Sequence, residues 1–98
     1  MSAGDMPGSG PLTAHLEIRN QRGLHARAAA KFVQALNGFQ ADIVVTRGDM
    51  EVSGRSIMGL MMLAAGPGSV IEVRATGTDA AAALGALEAL IGRKFDES

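Results

Sequence analysis

The stretch GLHARAAAKFVQALNG at residues 23–38 decides the fold, because it contains a helix start, a helix face and a helix stop. One set of its apolar positions recurs at i, i+3, i+4 and i+7, the spacing of one face of a helix. They are Ala29, Phe32, Val33 and Leu36. Asn37-Gly38 then provides a typical helix stop. We therefore predict a first helix at about residues 26–37.

Strand patterns lie on both sides of this helix. Thr13–Arg19 alternates between apolar and polar residues, the period of a half-buried strand. Residues 41–52 contain two short apolar segments on either side of Gly48-Asp49, which predicts a β-hairpin. Val70–Ala75 alternates again. The sequence therefore predicts four strands.

Two further helices are predicted between and after these strands. One follows Ser56, which is expected to cap it, continues to about Leu63 or Ala64 and ends at a Gly-Pro-Gly sequence. The other spans about residues 79–91. It is expected to be capped by Thr78 or Asp79 in front and by Gly92 behind.

The predicted element order is β-α-β-β-α-β-α, which indicates an α+β fold. A chain of 98 residues allows one domain with one sheet. Three helices can cover one face of that sheet, so we expect an open-faced β-sandwich with a mainly antiparallel four-stranded sheet. The expected organisation is a flexible extension over residues 1–11, one domain over 12–93 and a tail over 94–98.

Composition excludes several classes of function. Cys and Trp are absent and aromatic residues make up 3% of the chain, which argues against thiolate metal sites and base-stacking surfaces. A formal charge of −1 argues against binding to nucleic acid or to an anionic membrane. The first eleven residues lack the pattern of a secretory signal, and the run Ile57–Ala65 is far shorter than the roughly 20 residues of a membrane span. We expect a soluble, cytoplasmic monomer.

His25 is the candidate nucleophile. It lies at the expected start of the first helix, where unpaired backbone N–H groups favour an anion. Imidazole, with an ordinary pKa of about 6.5, is partly uncharged near neutral pH and can attack an activated phosphorus atom. Arg27 is the one expected neighbouring cation for the phosphoryl oxygens. The alternative is a plain surface cap with a solvated Arg. In both cases we expect His25 at an exposed helix start and not in the core. His15, on the polar side of the first strand, is predicted to be a surface residue.

The second helix is apolar nearly all round, although a two-layer protein buries only one side of it. We assign Leu60 and Leu63 to the core, and Ile57, Met58 and Met61 to an exposed patch beside His25. Flexible Met side chains suit a surface that meets several partners. The alternative is that the methionines fill the core.

Two segments resemble the HPr family of histidine-containing phosphocarriers of the bacterial phosphotransferase system, including its nitrogen-related branch. They are GLHARAAAKFV at residues 23–33 and SIMGLMMLA at residues 56–64, and the resemblance extends over about residues 13–92. It implies phosphorylation of His25 on Nδ1, with support from Arg27. It also implies that Ser56 corresponds to the serine that a dedicated kinase modifies in some members.

The resemblance further implies a relay without cofactor or metal. The expected donor is enzyme I and the recipient is a downstream acceptor protein. The patch on the second helix would dock these partners, with Arg27, Lys31 and Gln34 in its polar rim. A regulatory protein whose phosphorylation state controls target binding is the alternative. A hydrolase is disfavoured, because no paired carboxylates or metal-ligand spacing accompany His25.

One residue departs from the family pattern. The family usually has Pro directly after the Arg, whereas this chain has Ala28. A Pro in the first turn would fix φ and restrict the unfolded chain. We therefore expect Ala28 to change stability or tune the site without abolishing transfer.

Overall fold

The computed structural model describes residues 10–97. The predicted order of elements is confirmed. The elements are β1 (Leu12–Glu17), α1 (Ala26–Ala35), β2 (Asp42–Arg47), β3 (Met50–Ser53), α2 (Ile57–Met62), β4 (Val70–Thr76), α3 (Ala80–Gly92) and a 3₁₀ turn over Lys94–Asp96.

The four strands form one antiparallel sheet in the order β1-β4-β2-β3. The hairpin of β2 and β3 turns at Gly48, whose φ of 60° lies in the left-handed region. In β4, Ile71, Val73 and Ala75 are buried, while the residues between them lie on the other face. The strand alternation therefore sends one set of side chains to the helices and leaves a polar face open.

The core lies between the sheet and the helices. Phe32 is completely buried, and the small side chains of Ala28 and Ala29 are buried on the same helix, which packs against α2 and α3. Each large apolar side chain buried there contributes about 1.5–3 kcal/mol. The largest fully buried apolar side chains are Phe32, Ile18, Leu36, Leu60, Ile71, Leu87, Val45 and Val73.

Arg55 ties the end of α1 to the loop that precedes α2. Its guanidinium donates to the carbonyl oxygens of Leu36, Phe39 and Ala41 at 3.3, 2.9 and 3.0 Å. A planar guanidinium with five donors can satisfy several carbonyl groups at once. This contact fixes where α2 begins relative to α1.

The predicted helix ends shift by one or two residues. The capping prediction for α3 is wrong in part, because the Asp79 carboxylate accepts from the Gln40 backbone N–H at 2.7 Å and makes no cap bond to α3. Gly92 lies in the last turn of α3, and Arg93 follows as its C-cap. No helix within residues 10–97 has the length and apolar character needed to cross a membrane.

The predicted terminal segments are described in part. The flexible extension expected over residues 1–11 lies outside the described residues except for Gly10 and Pro11. Of the expected C-terminal tail, residues 94–97 are described, and they lie against the start of α1 with the Phe95 side chain buried.

Replacing Ala28 by Pro should stabilise the fold. Ala28 is the third residue of α1, and the first backbone hydrogen bond into the helix comes one residue later, from Ala29 N–H to the His25 carbonyl at 2.8 Å. Proline there removes no helical hydrogen bond. Because it restricts the unfolded chain, it should raise the free energy of unfolding by about 0.4–1 kcal/mol. The melting temperature should rise by roughly 2 to 8 °C in thermal denaturation. A lower melting temperature would show that the ring clashes with the packing around this buried position.

Candidate functional site

His25 is the N-cap of α1, as the sequence predicts. Its backbone is extended, with φ −75° and ψ −179°, and its Nδ1 accepts a hydrogen bond from the Arg27 backbone N–H at 3.2 Å. The first N–H groups of a helix have no partner within the helix, so a side-chain acceptor at this position satisfies one of them. The ring nitrogen that faces the helix start is therefore Nδ1.

The other ring nitrogen of His25 faces the C-terminal segment. His25 Nε2 lies 3.3 Å from Oε2 of Glu97. The side chains are 27% and 19% exposed, respectively. The expectation of an exposed helix start is therefore wrong for the imidazole, which is partly buried beside a carboxylate.

Glu97 has two more donors besides the imidazole. Asn20 Nδ2 donates to Oε2 at 3.1 Å, and the Arg22 backbone N–H donates to Oε1 at 3.2 Å. The pKa of Glu97 lies below its ordinary value of 4.5, first because of the Asn20 hydrogen bond and then because of those from Arg22 and His25, against an opposing effect of burial. The carboxylate is therefore ionised at neutral pH.

Asn20 connects this carboxylate to the loop before α1. It is 1% exposed, and its Nδ2 also donates to the Gly23 carbonyl at 2.8 Å. Gly23 has a φ of +66°, and a Cβ there would lie 2.9 Å from the Cα of Gly66. Glycine is therefore needed for the close approach that places His25 at the helix start.

Phe95 anchors the segment that carries Glu97. Its side chain is 2% exposed, and its carbonyl accepts from Lys31 Nζ at 2.8 Å. Lys94, Phe95 and Asp96 all have a φ between 56° and 58°, which costs L-residues roughly 1–2 kcal/mol each. Burial of the Phe95 ring and the hydrogen bonds of this segment offset that cost.

A cleft of about 210 Å³ opens beside the imidazole. Arg22 and Lys31 line it together with Arg27, so the expectation that Arg27 is the one neighbouring cation is wrong. The cleft is lined by Gln21, Arg22, His25, Arg27, Ala28, Lys31, Phe95, Asp96 and Glu97. Its charge and size suit a small anion such as a phosphoryl group.

Helix α2 carries an exposed apolar patch, here called the α2 patch, and the expected division between core and surface is confirmed. Leu60 and Leu63 are buried. The patch residues line a shallow surface depression of about 480 Å³, and one of them, Met62, was not among the predicted set. They are Ile57, Met58, Met61 and Met62, with exposed fractions of 42%, 74%, 43% and 60%.

Ser56 begins α2. Its Oγ accepts a hydrogen bond from the Gly59 backbone N–H at 2.9 Å, so the cap that the sequence predicts is present. Gln34 lies exposed on α1. Lys31, expected with Gln34 at the rim of the α2 patch, directs its amine to Phe95 in the cleft beside His25. The rim assignment of both residues stays a prediction.

His15 lies on the open face of the sheet. Its side chain is 66% exposed and its Nε2 lies 3.3 Å from Oε2 of Glu72 on the neighbouring strand. As predicted, it is a surface residue and not part of the cleft.

The chemistry-bearing residues missed by the sequence analysis are Glu97 and Asn20. Glu97 is 72 positions from His25, and nothing in the local pattern of the tail links the two. One signal was available: Phe95 is an isolated large apolar residue in an otherwise polar segment, which indicates a docked tail.

A family model described as "PTS HPr component phosphorylation site" matches residues 12–93. This chain belongs to the HPr family. It is 50% identical over 86 residues to the Phosphocarrier protein HPr of Neisseria meningitidis serogroup A, covering 88% of this chain and 97% of that protein. It is 42% identical over 87 residues to the Phosphocarrier protein NPr of Shewanella violacea, covering 89% of this chain and 96% of that protein.

Solved HPr structures share the fold. A crystal structure of HPr from Thermoanaerobacter tengcongensis matches with a TM-score of 0.84 and 41% identity, covering 89% of this chain and 98% of that one. A crystal structure of HPr from Bacillus anthracis matches with a TM-score of 0.77 and 42% identity, covering 82% of this chain and 95% of that one. This chain is accordingly a phosphocarrier of the phosphotransferase system.

The lowered pKa of Glu97 predicts a pH-dependent contribution to stability. A carboxylate with a lowered pKa in the folded state stabilises the fold above its unfolded pKa, and this contribution disappears as the pH falls through the folded value. Glu97→Gln should therefore melt below the wild type at pH 7, and the difference should shrink as the pH is lowered towards 3. Thermal denaturation of both proteins across this range measures the difference. A constant difference would show that the charge of Glu97 plays no part.

Proposed function

We propose that His25 Nδ1 is the atom that accepts the phosphoryl group from enzyme I and passes it to a downstream acceptor protein. The observation that supports this most directly is the N-cap geometry, in which Nδ1 and the Arg27 N–H face each other at 3.2 Å in a cleft lined by cationic residues. Membership of the HPr family supplies the reaction class. The relay requires no cofactor or metal of the carrier's own.

The same groups that hold the resting imidazole would hold the phosphoryl group. As the donor approaches, the Nδ1 lone pair leaves the Arg27 N–H and forms a bond to phosphorus, while the bond from phosphorus to the donor breaks and its electron pair leaves with the donor. The released N–H and the Arg27 guanidinium would then bind phosphoryl oxygens at the positive end of α1. Reversal of these steps delivers the group to the acceptor.

The α2 patch is the proposed docking surface for both partners, with Lys31 and Gln34 at its rim. Its four large apolar side chains are exposed and adjacent, and contiguous exposed apolar patches on monomeric proteins are often interaction sites. Methionine adapts its shape to different surfaces, which suits a carrier that must bind a donor and then an acceptor. The proposed carrier is monomeric and acts in the cytoplasm with its partners.

A second candidate is a regulatory role in which phosphorylation of His25 controls binding to a target. The similarity to a protein named NPr favours it. Mixing the phosphorylated protein with candidate acceptors separates the two functions. Onward transfer supports the relay, whereas phosphorylation-dependent binding without transfer supports the regulatory role.

His25→Ala should abolish acid-labile phosphorylation by enzyme I and leave the protein folded, because the imidazole lies at the surface end of α1 and outside the hydrophobic core. His15→Ala is the matched control, since it removes the other histidine on the open face of the sheet. Phosphohistidine content and circular dichroism measure the two effects. Phosphorylation retained in His25→Ala, or lost in His15→Ala, would refute the site.

Met58→Glu should slow phosphorylation of His25 by about ten-fold at limiting enzyme I, because a charge in the α2 patch must be desolvated on docking. Met58 is the most exposed patch residue, so the melting temperature should not change. Val70→Glu, at an exposed apolar position on β4, is the control. Equal rates for the two variants would show that the α2 patch does not dock the donor.

Ser56 is the proposed site of regulatory phosphorylation. Phosphate would add about −1.5 to −2 charges beside the α2 patch, while the start of α2 tolerates an anion. Ser56→Asp should therefore melt no lower than Ser56→Ala, which loses a cap bond worth about 1 kcal/mol, yet be phosphorylated more slowly on His25. Equal phosphorylation rates for the Asp and Ala variants would leave Ser56 with the capping role alone.

A further inference from the structure

Glu97 reaches the imidazole from a distant part of the chain. Its carboxylate accepts from His25 Nε2, from Asn20 Nδ2 and from the Arg22 N–H, at 3.3, 3.1 and 3.2 Å. Asn20 is itself almost completely buried and fixed to Gly23. The carboxylate is therefore held in place independently of His25.

These contacts define the protonation of the ring. A carboxylate only accepts hydrogen bonds, so Nε2 must carry a proton. The Arg27 N–H only donates, so Nδ1 must present its lone pair. Both contacts favour the tautomer with the proton on Nε2 and the lone pair on Nδ1, so Nδ1 is the nucleophilic atom.

We infer that Glu97 is the positioning residue of this site: it orients the His25 ring through Nε2–H and stabilises the positive charge that the ring acquires when Nδ1 bonds to phosphorus. This inference rests on the proposed phosphorylation of His25. Glu97 acts through the imidazole and does not contact the phosphoryl group.

The charge balance of the step explains the need for a carboxylate. When the Nδ1 lone pair forms the N–P bond, the bond from phosphorus to the donor breaks, and the proton on Nε2 stays in place. The ring is then a phosphorylated imidazolium whose positive charge is shared between both nitrogens. A charge-assisted hydrogen bond from Nε2–H to the Glu97 carboxylate stabilises this charge. When the group moves on, the N–P electron pair returns to Nδ1 and the ring becomes neutral again.

The segment around Glu97 offers a matched control. Asp96 lines the same cleft, but its carboxylate pairs with Arg93 Nε at 3.0 Å and has no hydrogen bond to His25. Asp96→Asn therefore removes a negative charge from the same turn without altering the imidazole contact. Glu97→Gln keeps the size of the side chain and an oxygen acceptor, whereas Glu97→Ala removes both.

Two measurements test the inference on the full chain. In the unphosphorylated protein, one-bond ¹H–¹⁵N correlation spectra should show a His25 Nε2–H signal in the wild type, Asp96→Asn and Glu97→Gln, and lose it to solvent exchange in Glu97→Ala. In steady-state phosphorylation by enzyme I, Glu97→Ala should lower kcat by roughly ten- to hundred-fold, the loss expected for one charge-assisted hydrogen bond. KM should not change, since the α2 patch is intact. The kcat of Glu97→Gln should lie between that of Glu97→Ala and that of the wild type.

The outcomes separate positioning from a purely structural role. Wild-type kcat in Glu97→Ala, an effect confined to KM, or an equal loss in Asp96→Asn would overturn the inference. If Glu97→Ala does not fold, Glu97→Gln decides, and wild-type kcat in that variant overturns it. Absence of phosphohistidine in the wild type would instead refute the proposed function, and the Nε2–H signal would still report the contact between His25 and Glu97.

Discussion

The packing of three helices against one face of a single sheet is the constraint on which the rest of this structure depends. A two-layer protein buries one side of each helix, and it has no third layer to cover the other side. Helix α1 buries Phe32 and two small alanines and packs against α2 and α3, which fixes its first turn. The same constraint leaves the methionines of α2 in water. The candidate site at the start of α1 and the α2 patch therefore both lie on helix surfaces that the core does not cover.

The site combines a helix start that favours an anion with the anionic carboxylate of Glu97. If both contacted the same nitrogen of His25, the carboxylate would occupy the place of the incoming anion. The geometry separates them. Glu97 contacts Nε2, and the helix N–H contacts Nδ1 on the other side of the ring. Hydrogen bonds from Asn20 and the Arg22 N–H stabilise the ionised carboxylate, and the side chains of Arg22, Arg27 and Lys31 are among those that line the cleft beside the imidazole. One ring thus faces a negative partner and a positive pocket at the same time.

Local sequence patterns were sufficient for the elements, because hydrophobic periodicity and turn residues act over short distances. The N-cap position of His25 and the exposure of Met58 followed from the same reasoning. The role of Asp79 did not, because its carboxylate prefers the backbone of Gln40, 39 positions away in sequence.

The contact of Glu97 with His25 was also beyond a local pattern. It depends on three consecutive left-handed residues and on the burial of Phe95, neither of which has a periodic signature. The family resemblance pointed to His25 as the expected phosphoryl acceptor, but it gave no information about the tail. Long-range polar contacts were therefore the part of the site that required the folded chain.

The distance along the chain between His25 and Glu97 also has a consequence for biosynthesis. The ribosome supplies the imidazole early and the carboxylate 72 residues later. During synthesis, the histidine therefore emerges long before the carboxylate that is proposed to orient it. If Glu97 has the proposed positioning role, full competence for transfer requires the turn at residues 94–97 to dock, and the reactivity of the carrier is coupled to the folding of this segment.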